Sequence, residues 1–161
     1  MRNFILLFVA ALFVGCASPG VQVTTDDEKS QAIKAAYDGY LVNDFTASNE
    51  LYSDETAIYI NSVETISNEE NIAAFSSHHD FYTDISMSRT YIQTSAYDND
   101  LGTWTHAWFV WKGTGKASGN TFEVPCHVAY QWGDDGKVAQ TWFFSDQSNH
   151  LKELAAAGVE L

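Results

Sequence analysis

The sequence predicts one α+β domain, in which helices come first and then pack on one face of a long antiparallel sheet. Four runs rich in β-branched and aromatic residues, at about 85–97, 103–113, 120–132 and 137–145, indicate consecutive strands. The segments between them carry the Gly, Asn and Asp residues that favour tight turns. The last run ends at Asp146, which directly follows three aromatic residues. This layout indicates a curved sheet with a carboxylate at the mouth of an apolar cavity.

The first predicted helix follows a polar segment. Thr25 fits a capping box with Glu28, so we predict a helix over about 26–42. Apolar residues recur there at helical spacing, which indicates one buried face. The residues expected on that face are Ile33, Ala36, Tyr37, Tyr40 and Leu41.

A second capping box begins another helix. Ser67 and Glu70 have the required spacing, and the helix is expected to run to about His78 with Ile72 and Phe75 facing inward. The remaining predicted elements are a short helix at 47–52, a strand at 56–60 and a closing helix at about 147–157.

The first residues have the pattern of a bacterial export signal. Arg2 supplies a positive charge, and the apolar run over 4–14 is too short to span a membrane. Residues 12–16 read Leu-Phe-Val-Gly-Cys, which resembles a lipobox except for its Phe. We therefore predict that Cys16 is lipidated; the alternative is simple cleavage near Ala17.

This pattern divides the chain into a signal peptide at 1–16, a polar tether at 17–24 and a domain at 25–161. The protein is then expected to be exported to the cell envelope, either anchored through the lipid or free in the periplasm or outside the cell. Attachment to a membrane would come from burial of acyl chains alone.

The composition is strongly acidic. The chain has 8 basic and 21 acidic side chains, and loss of residues 1–15 would remove only one basic residue, leaving a net charge of −14. Such a surface repels nucleic acid and anionic lipid headgroups. We therefore exclude nucleic acid as a partner and expect membrane contact only through a lipid on Cys16.

The second cysteine, Cys126, lies within an apolar strand, where a buried and unreactive thiol is expected. Its neighbour His127 would face the opposite side of that strand and could not activate it.

Three segments resemble the SnoaL-like branch of the nuclear transport factor 2-like superfamily. They are NDFTASNELYSDETAIYIN after the first helix, WTHAWFVWKGTGKASG before FEVP, and DGKVAQTWFFSD before the closing helix. The resemblance covers about Gln31 to Ala156. It implies a cystatin-like α+β barrel, in which a cone-shaped, strongly curved antiparallel sheet wraps around the N-terminal helices. Members include polyketide cyclases, steroid isomerases, dehydratases, epoxide hydrolases and non-catalytic binding or dimerisation modules.

Alternation along the strands selects Asp146 as the first candidate for chemistry. It is in phase with Trp142 and Phe144, so desolvation is expected to raise its pKa and make it a better base. The resemblance adds that cyclases and epoxide hydrolases of this branch place an essential Asp here. The alternative is that Asp146 caps the closing helix.

Tyr59 and Asn61 form a second candidate pair, because residues two apart in a strand point the same way. Limonene-epoxide hydrolase-like enzymes use a Tyr-x-Asn pair to position water. They also carry an Arg-x-Asp pair, which is missing from the matching region around Trp104 and His106. The alternative is a core Tyr beside a turn-forming Asn.

Histidines supply the third candidates. His106 is expected on the inward face between Trp104 and Trp108, where it would act with a carboxylate as an acid/base pair. His78 and His79 end the third helix near the open end of the cone that the resemblance implies, and His79 is selected as a ligand contact. No spacing typical of metal ligands occurs, so we expect neither a metal nor a cofactor.

These observations favour binding of a small apolar or aromatic molecule in the cone. The expected walls are Trp104, Trp108, Trp142, Phe144 and Tyr37. One alternative is a cofactor-free lyase, isomerase or hydrolase, with Asp146 as general base and His106 or Tyr59 as acid or orienting group. The other is a non-catalytic module that forms a homodimer through its outer sheet face, with Phe109, Trp111 and Phe143 as the expected contacts.

Overall fold

A computed structural model describes residues 20–160 of the chain. The predicted signal peptide at 1–16, with Cys16, lies outside the described residues. Within residues 20–160, no helix combines the length and apolar character needed to cross a membrane.

The predicted α+β class is confirmed by the described residues, which form a six-stranded sheet and four helices. The sheet has the strand order β1-β3-β4-β5-β6-β2. The strands are β1 (Val21–Thr24), β2 (Tyr52–Ile60), β3 (Tyr82–Tyr97), β4 (Thr103–Gly115), β5 (Thr121–Trp132) and β6 (Val138–Ser145). The helices are α1 (Glu28–Leu41), α2 (Thr46–Leu51), α3 (Asn68–Phe81) and α4 (Ser148–Ala156).

The sheet differs from the prediction at both of its edges. The segment expected to be a tether contains β1, which pairs antiparallel with β3. The other edge strand, β2, pairs parallel with β6, so the sheet is mixed rather than purely antiparallel. A parallel pair of strands this far apart in the chain leaves no local signal, because hairpin turns mark only antiparallel neighbours.

Strand β3 is bent at two places. Its pairing register with β4 shifts between Thr83 and Ser86 and again between Ser88 and Tyr91. Asp84 and Arg89, one within each shift, have positive φ angles of 54° and 53°. Bulges of this kind bend a strand and increase its twist, which curves the sheet around the helices.

Helix α1 begins two residues later than predicted. Its N-cap is Asp27, whose Oδ1 accepts hydrogen bonds from the backbone N–H of Lys29 and Ser30, and Ser30 completes the capping box. Thr25 is therefore not the cap. Asp27 also has a partner outside the helix, because its Oδ1 accepts a hydrogen bond from Thr94 Oγ1 at 3.1 Å.

That contact belongs to a buried chain of hydrogen bonds across three strands. The indole of Trp132 donates to Thr105 Oγ1 at 2.8 Å, and the Thr105 and Thr94 hydroxyls lie 2.9 Å apart. Because Thr94 gives its own proton to Asp27, Thr105 must donate to Thr94. The start of α1 is thus connected to β3, β4 and β5 through one directed series of donors.

The inward face of β4 is opposite to the predicted one. Thr105, Ala107, Phe109 and Trp111 are buried against the helices, whereas Trp108 is 38% exposed. Both faces of this strand carry large aromatic residues, so alternation separates two sets without showing which set is covered. Phe109 and Trp111, expected as outer contacts, instead belong to the hydrophobic core, and Phe143 packs against it.

Helix α4 is held by a buried carboxylate. Glu153 is 0% exposed, and its Oε1 accepts hydrogen bonds from the backbone N–H of Ala117 and Ser118. Its other oxygen accepts from the Ser118 hydroxyl. Burial acts to raise the pKa of Glu153, but these hydrogen bonds outweigh it and the pKa lies below its usual range.

Candidate functional site

A cavity of about 240 Å³ lies between the inner face of the sheet and helices α1 and α3. Most of its walls are apolar, and residues at the beginning of α4 form part of its rim. Among residues 20–160, the lining contains Asp146 as its only carboxylate and contains no Lys or Arg. Apolar walls with a few polar groups are typical of small-molecule sites.

Two of the residues selected from sequence line this cavity, Tyr37 and Asp146. The Tyr37 hydroxyl lies 2.9 Å from the Tyr130 hydroxyl, so the two phenols share a hydrogen bond. Burial raises the pKa of Tyr37 well above its usual value. Tyr37 is therefore a neutral wall residue that already has a partner.

Asp146 lies on the rim rather than in the interior. Its Oδ1 accepts a hydrogen bond from the backbone N–H of Ser148 at 2.9 Å, at the start of α4. That hydrogen bond lowers the pKa of Asp146, whereas desolvation was expected to raise it. Asp146 is nevertheless not the N-cap of α4, which is Gln147 and forms no side-chain cap hydrogen bond. The capping alternative is therefore met only in part, by this contact with the first residue of the helix.

Most of the other selected residues lie on the opposite, outer face of the sheet. There they form the outer aromatic row, whose neighbouring rings are nearly parallel, with interplanar angles between 8° and 20°. The row consists of Tyr59, Trp104, His106, Trp108, His127, Trp142 and Phe144. None of these residues lines the cavity among residues 20–160, so the prediction that Trp104, Trp108, Trp142 and Phe144 form its walls is wrong.

His106 has a different partner from the one expected. Its Nδ1 lies 3.2 Å from Nε2 of His127, on the neighbouring strand, in a hydrogen bond between the two rings. Burial first, and then the neighbouring His127, lower the pKa of His106. His106 and Asp146 therefore do not converge in one cavity.

Tyr59 and Asn61 also do not form a joint site. Tyr59 stacks on Trp142 with ring centroids 3.8 Å apart. Asn61 has a positive φ of 48°, and its Oδ1 accepts a hydrogen bond from the backbone N–H of Ser145 at 3.0 Å. Asn61 ends β2 and connects it to β6, in agreement with the turn-forming alternative.

His79 is directed at the backbone of α1. Its Nε2 donates to the carbonyl oxygen of Tyr40 at 2.8 Å, and the residue does not line the cavity. The preceding residue, His78, does line it. The sequence placed both histidines near the opening, but His79 was selected for the ligand site. His78 follows the inward-facing Phe75 by three residues, a spacing that places both on one face of a helix.

His78 belongs to a polar group at one side of the cavity. Its Nδ1 lies 2.9 Å from the Tyr40 hydroxyl, which also accepts a hydrogen bond from the Trp111 indole at 2.7 Å. Nearby, the Tyr82 hydroxyl lies 3.1 Å from Nδ1 of His150. Burial, followed by the neighbouring His150 and His79, lowers the pKa of His78 to about 4. This ring is therefore neutral at pH 7.

The Cys126 thiol also lines the cavity. Burial raises its pKa to about 11, so it is protonated at neutral pH and a poor nucleophile. Among the described residues, no group of three or more His, Cys, Asp or Glu side chains is arranged to hold a metal ion.

Comparison by sequence gives no match, either to a protein-family profile or to a characterised protein. Comparison of structures gives many. A candidate polyketide cyclase from Xanthomonas campestris has a TM-score of 0.60 at 15% identity, covering 78% of this chain and 95% of its own. A candidate hydroxylase from Streptomyces galilaeus has a TM-score of 0.63 at 12% identity, covering 80% and 85%.

A third similar structure is a protein of ketosteroid isomerase-like fold from Catenulispora acidiphila, solved in complex with trimethylamine. It has a TM-score of 0.52 at 13% identity and covers 81% of this chain and 94% of its own. At such identities the likeness concerns the fold and not the activity. The chain has the nuclear transport factor 2-like fold, shared with polyketide cyclase-like and ketosteroid isomerase-like proteins.

Proposed function

We propose that this protein binds a small, largely apolar and uncharged molecule in the cavity between α1, α3 and the sheet. The observation that carries the proposal is the cavity of about 240 Å³, whose lining is mainly apolar and, within residues 20–160, has no Lys or Arg. A charged ligand would lose hydration there without gaining an opposite charge in the interior.

Blocking the mouth of the cavity is expected to weaken binding. Ala74 on α3 lines the cavity and is also solvent-exposed, so it lies at the rim. In Ala74→Phe, calorimetric titration with 2-acetylnaphthalene should show affinity weakened by about tenfold or more, because the added ring occupies space that the ligand needs.

The adjacent residue supplies a matched control. Ala73 is exposed and does not line the cavity, so Ala73→Phe should bind the probe as the unchanged protein does. Equal binding by the Ala74→Phe variant would show that the probe binds elsewhere. If the unchanged protein binds neither 2-acetylnaphthalene nor 2-ethylnaphthalene, the proposal is contradicted.

A second candidate function is cofactor-independent acid/base catalysis in the same cavity, as an isomerase, dehydratase or hydrolase. It is favoured by the position of Asp146 on the rim and by the similarity to a candidate polyketide cyclase. The lowered pKa of Asp146 makes it a weaker base than a desolvated carboxylate, so binding has the stronger support. Full turnover by Asp146→Asn of any substrate found would exclude Asp146 as the base.

The third candidate is association of two copies through the outer aromatic row. Two residues of the row, Trp108 and Phe144, are 38% and 47% exposed. The outer aromatic row contains no Asp, Glu, Lys or Arg, whereas the chain as a whole is strongly acidic. Two copies would therefore repel each other less through this face than through others. A monomeric mass by sedimentation at high protein concentration would argue against it.

We also propose that the protein is exported and anchored by a lipid on Cys16, as its first 16 residues suggest. In a bacterial host supplied with labelled palmitate, Cys16→Ser should lose the label and leave the membrane fraction. Cys126→Ser is the matched control, because Cys126 is the other cysteine of the chain and should not affect labelling. Label retained by the Cys16→Ser protein would refute lipidation at this site.

A further inference from the structure

The ring of His78 is held from several sides at the edge of the cavity. Aromatic rings surround it at centroid distances of 5.2 to 6.2 Å, each at a steep angle to its plane. These neighbours are Tyr40, Phe75, Tyr82, Trp111 and His150. Such packing limits rotation of the imidazole, so its two nitrogens keep distinct environments.

The hydrogen bonds determine which of those nitrogens carries a proton. The Trp111 indole can only donate, so the Tyr40 oxygen accepts from it. If His78 also donated to that oxygen, the Tyr40 hydroxyl proton would lack an acceptor among the described residues, which is costly in a buried place. Tyr40 therefore donates to Nδ1 of His78, and the neutral ring carries its proton on Nε2.

That N–H has no partner among the described residues and is not fully buried. Within residues 20–160, Nε2 of His78 has no hydrogen-bond partner. In the described part of the chain, the fully buried polar side-chain atoms that lack a partner are one oxygen of Asp27 and one of Asn68. Nε2 of His78 is not one of them, so this atom is accessible. This donor has no partner within the described chain and is not fully buried, and it belongs to a residue that lines the cavity. It is therefore available to a ligand.

The charges around this donor define what it can bind. In the part of the chain that the structure describes, the lining has no Lys or Arg, and its one carboxylate, Asp146, disfavours a second negative charge. A neutral N–H in an apolar wall pairs best with an uncharged acceptor, because neither partner then carries an uncompensated charge out of water. A carbonyl oxygen, which accepts and never donates, matches this donor.

We propose that Nε2 of His78 donates a hydrogen bond to the carbonyl oxygen of an uncharged, largely apolar ligand, with Tyr40 and Trp111 as positioning residues that fix the tautomer of His78. This inference rests on the proposed binding function and specifies the ligand class and the residue that recognises it.

The first test needs no ligand. Long-range ¹H–¹⁵N spectra of the ¹⁵N-labelled protein at pH 7 should show His78 with its proton on Nε2, assigned by its disappearance in His78→Gln. In Tyr40→Phe the acceptor role of Nδ1 is lost, so a mixture of the two tautomers is expected. A proton on Nδ1 in the unchanged protein, or an unaltered tautomer in Tyr40→Phe, would overturn the positioning roles.

The second test compares 2-acetylnaphthalene with 2-ethylnaphthalene, which differ by the carbonyl oxygen. His78→Leu should weaken binding of the ketone by about three- to tenfold relative to the hydrocarbon. Retained binding of the hydrocarbon shows that the variant is folded with its cavity intact. His127→Leu, on the outer face, is the matched control and should leave the ratio of the two affinities unchanged.

The two proposals fail in different ways. If both probes bind the cavity and His78→Leu leaves their affinity ratio unchanged, the carbonyl inference is wrong and the binding function stands. If neither probe binds the unchanged protein, both proposals are contradicted. If His78→Leu does not fold, Tyr40→Phe serves in its place and should reduce the preference for the ketone.

Discussion

Replacing Glu153 with alanine is expected to lower the free energy of unfolding by about 3 kcal/mol, because the N–H groups of Ala117 and Ser118 then lose their acceptor. The loss should also loosen α4, whose first turn forms part of the cavity rim. Urea denaturation followed by circular dichroism measures the change. The neighbouring Lys152 is exposed, so Lys152→Ala is the matched control and should change stability by less than about 0.5 kcal/mol.

The pH dependence of this contribution has a definite sign. The pKa of Glu153 is lower in the folded protein than its usual value of 4.5. Its stabilising effect is therefore fully present above that value and is lost as the pH falls through the folded pKa. The stability difference between the unchanged protein and Glu153→Ala should narrow below about pH 4.5. A difference that stays constant from pH 7 to acid would show that charge is not involved.

Replacing Asp27 with alanine is expected to cost about 2 kcal/mol of unfolding free energy. The substitution removes the cap of α1 and also the acceptor for the Thr94 hydroxyl. That acceptor is the last one in the series of hydrogen bonds that begins at the Trp132 indole. Asp27→Asn should restore most of the stability, because an amide oxygen can accept the same bonds.

Asp26, the residue before Asp27, supplies a matched control for Asp27→Ala. Asp26 is exposed, and its side chain accepts from Gln31 rather than from the helix backbone. Asp26→Ala should therefore alter the denaturation midpoint little, although it removes the same charge. Equal losses in the two variants would mean that the charge, and not the cap, stabilises α1. The pKa of Asp27 is lowered, so its contribution should also fade as the pH drops below 3.8.

The predictions that succeeded depend on neighbours in the chain. The order and type of the helices and of β2 to β6 follow from capping residues, turn residues and hydrophobic periodicity, all of which act over a few residues. The second capping box, between Ser67 and Glu70, is present as predicted. The first box was placed two residues early, because Thr25 and Asp27 are both acceptable caps and the contact with Thr94 favours Asp27.

The candidate site was harder to predict for a physical reason. Trp104, His106 and Trp108 share one face of β4 and Phe109 and Trp111 share the other, so both faces look suited to a core. Unlike Asp146, the candidates His106 and Tyr59 lie on the face that the helices leave uncovered. His79 was selected instead of His78, because the role of His78 depends on Tyr40 and Trp111, which are distant in sequence and meet it only after folding.

Local patterns in the chain were thus sufficient to establish the α+β class, the sequence of its elements and the alternation within each strand. Folding determined which alternate set faces inward, that β2 joins β6 in parallel, and that His78 rather than His106 lines the cavity. The reason is that secondary structure responds mainly to nearby residues, whereas burial depends on which distant element covers a surface. The charged residue Glu153 can then be fully buried, because donors in the turn between β4 and β5 form hydrogen bonds with its carboxylate.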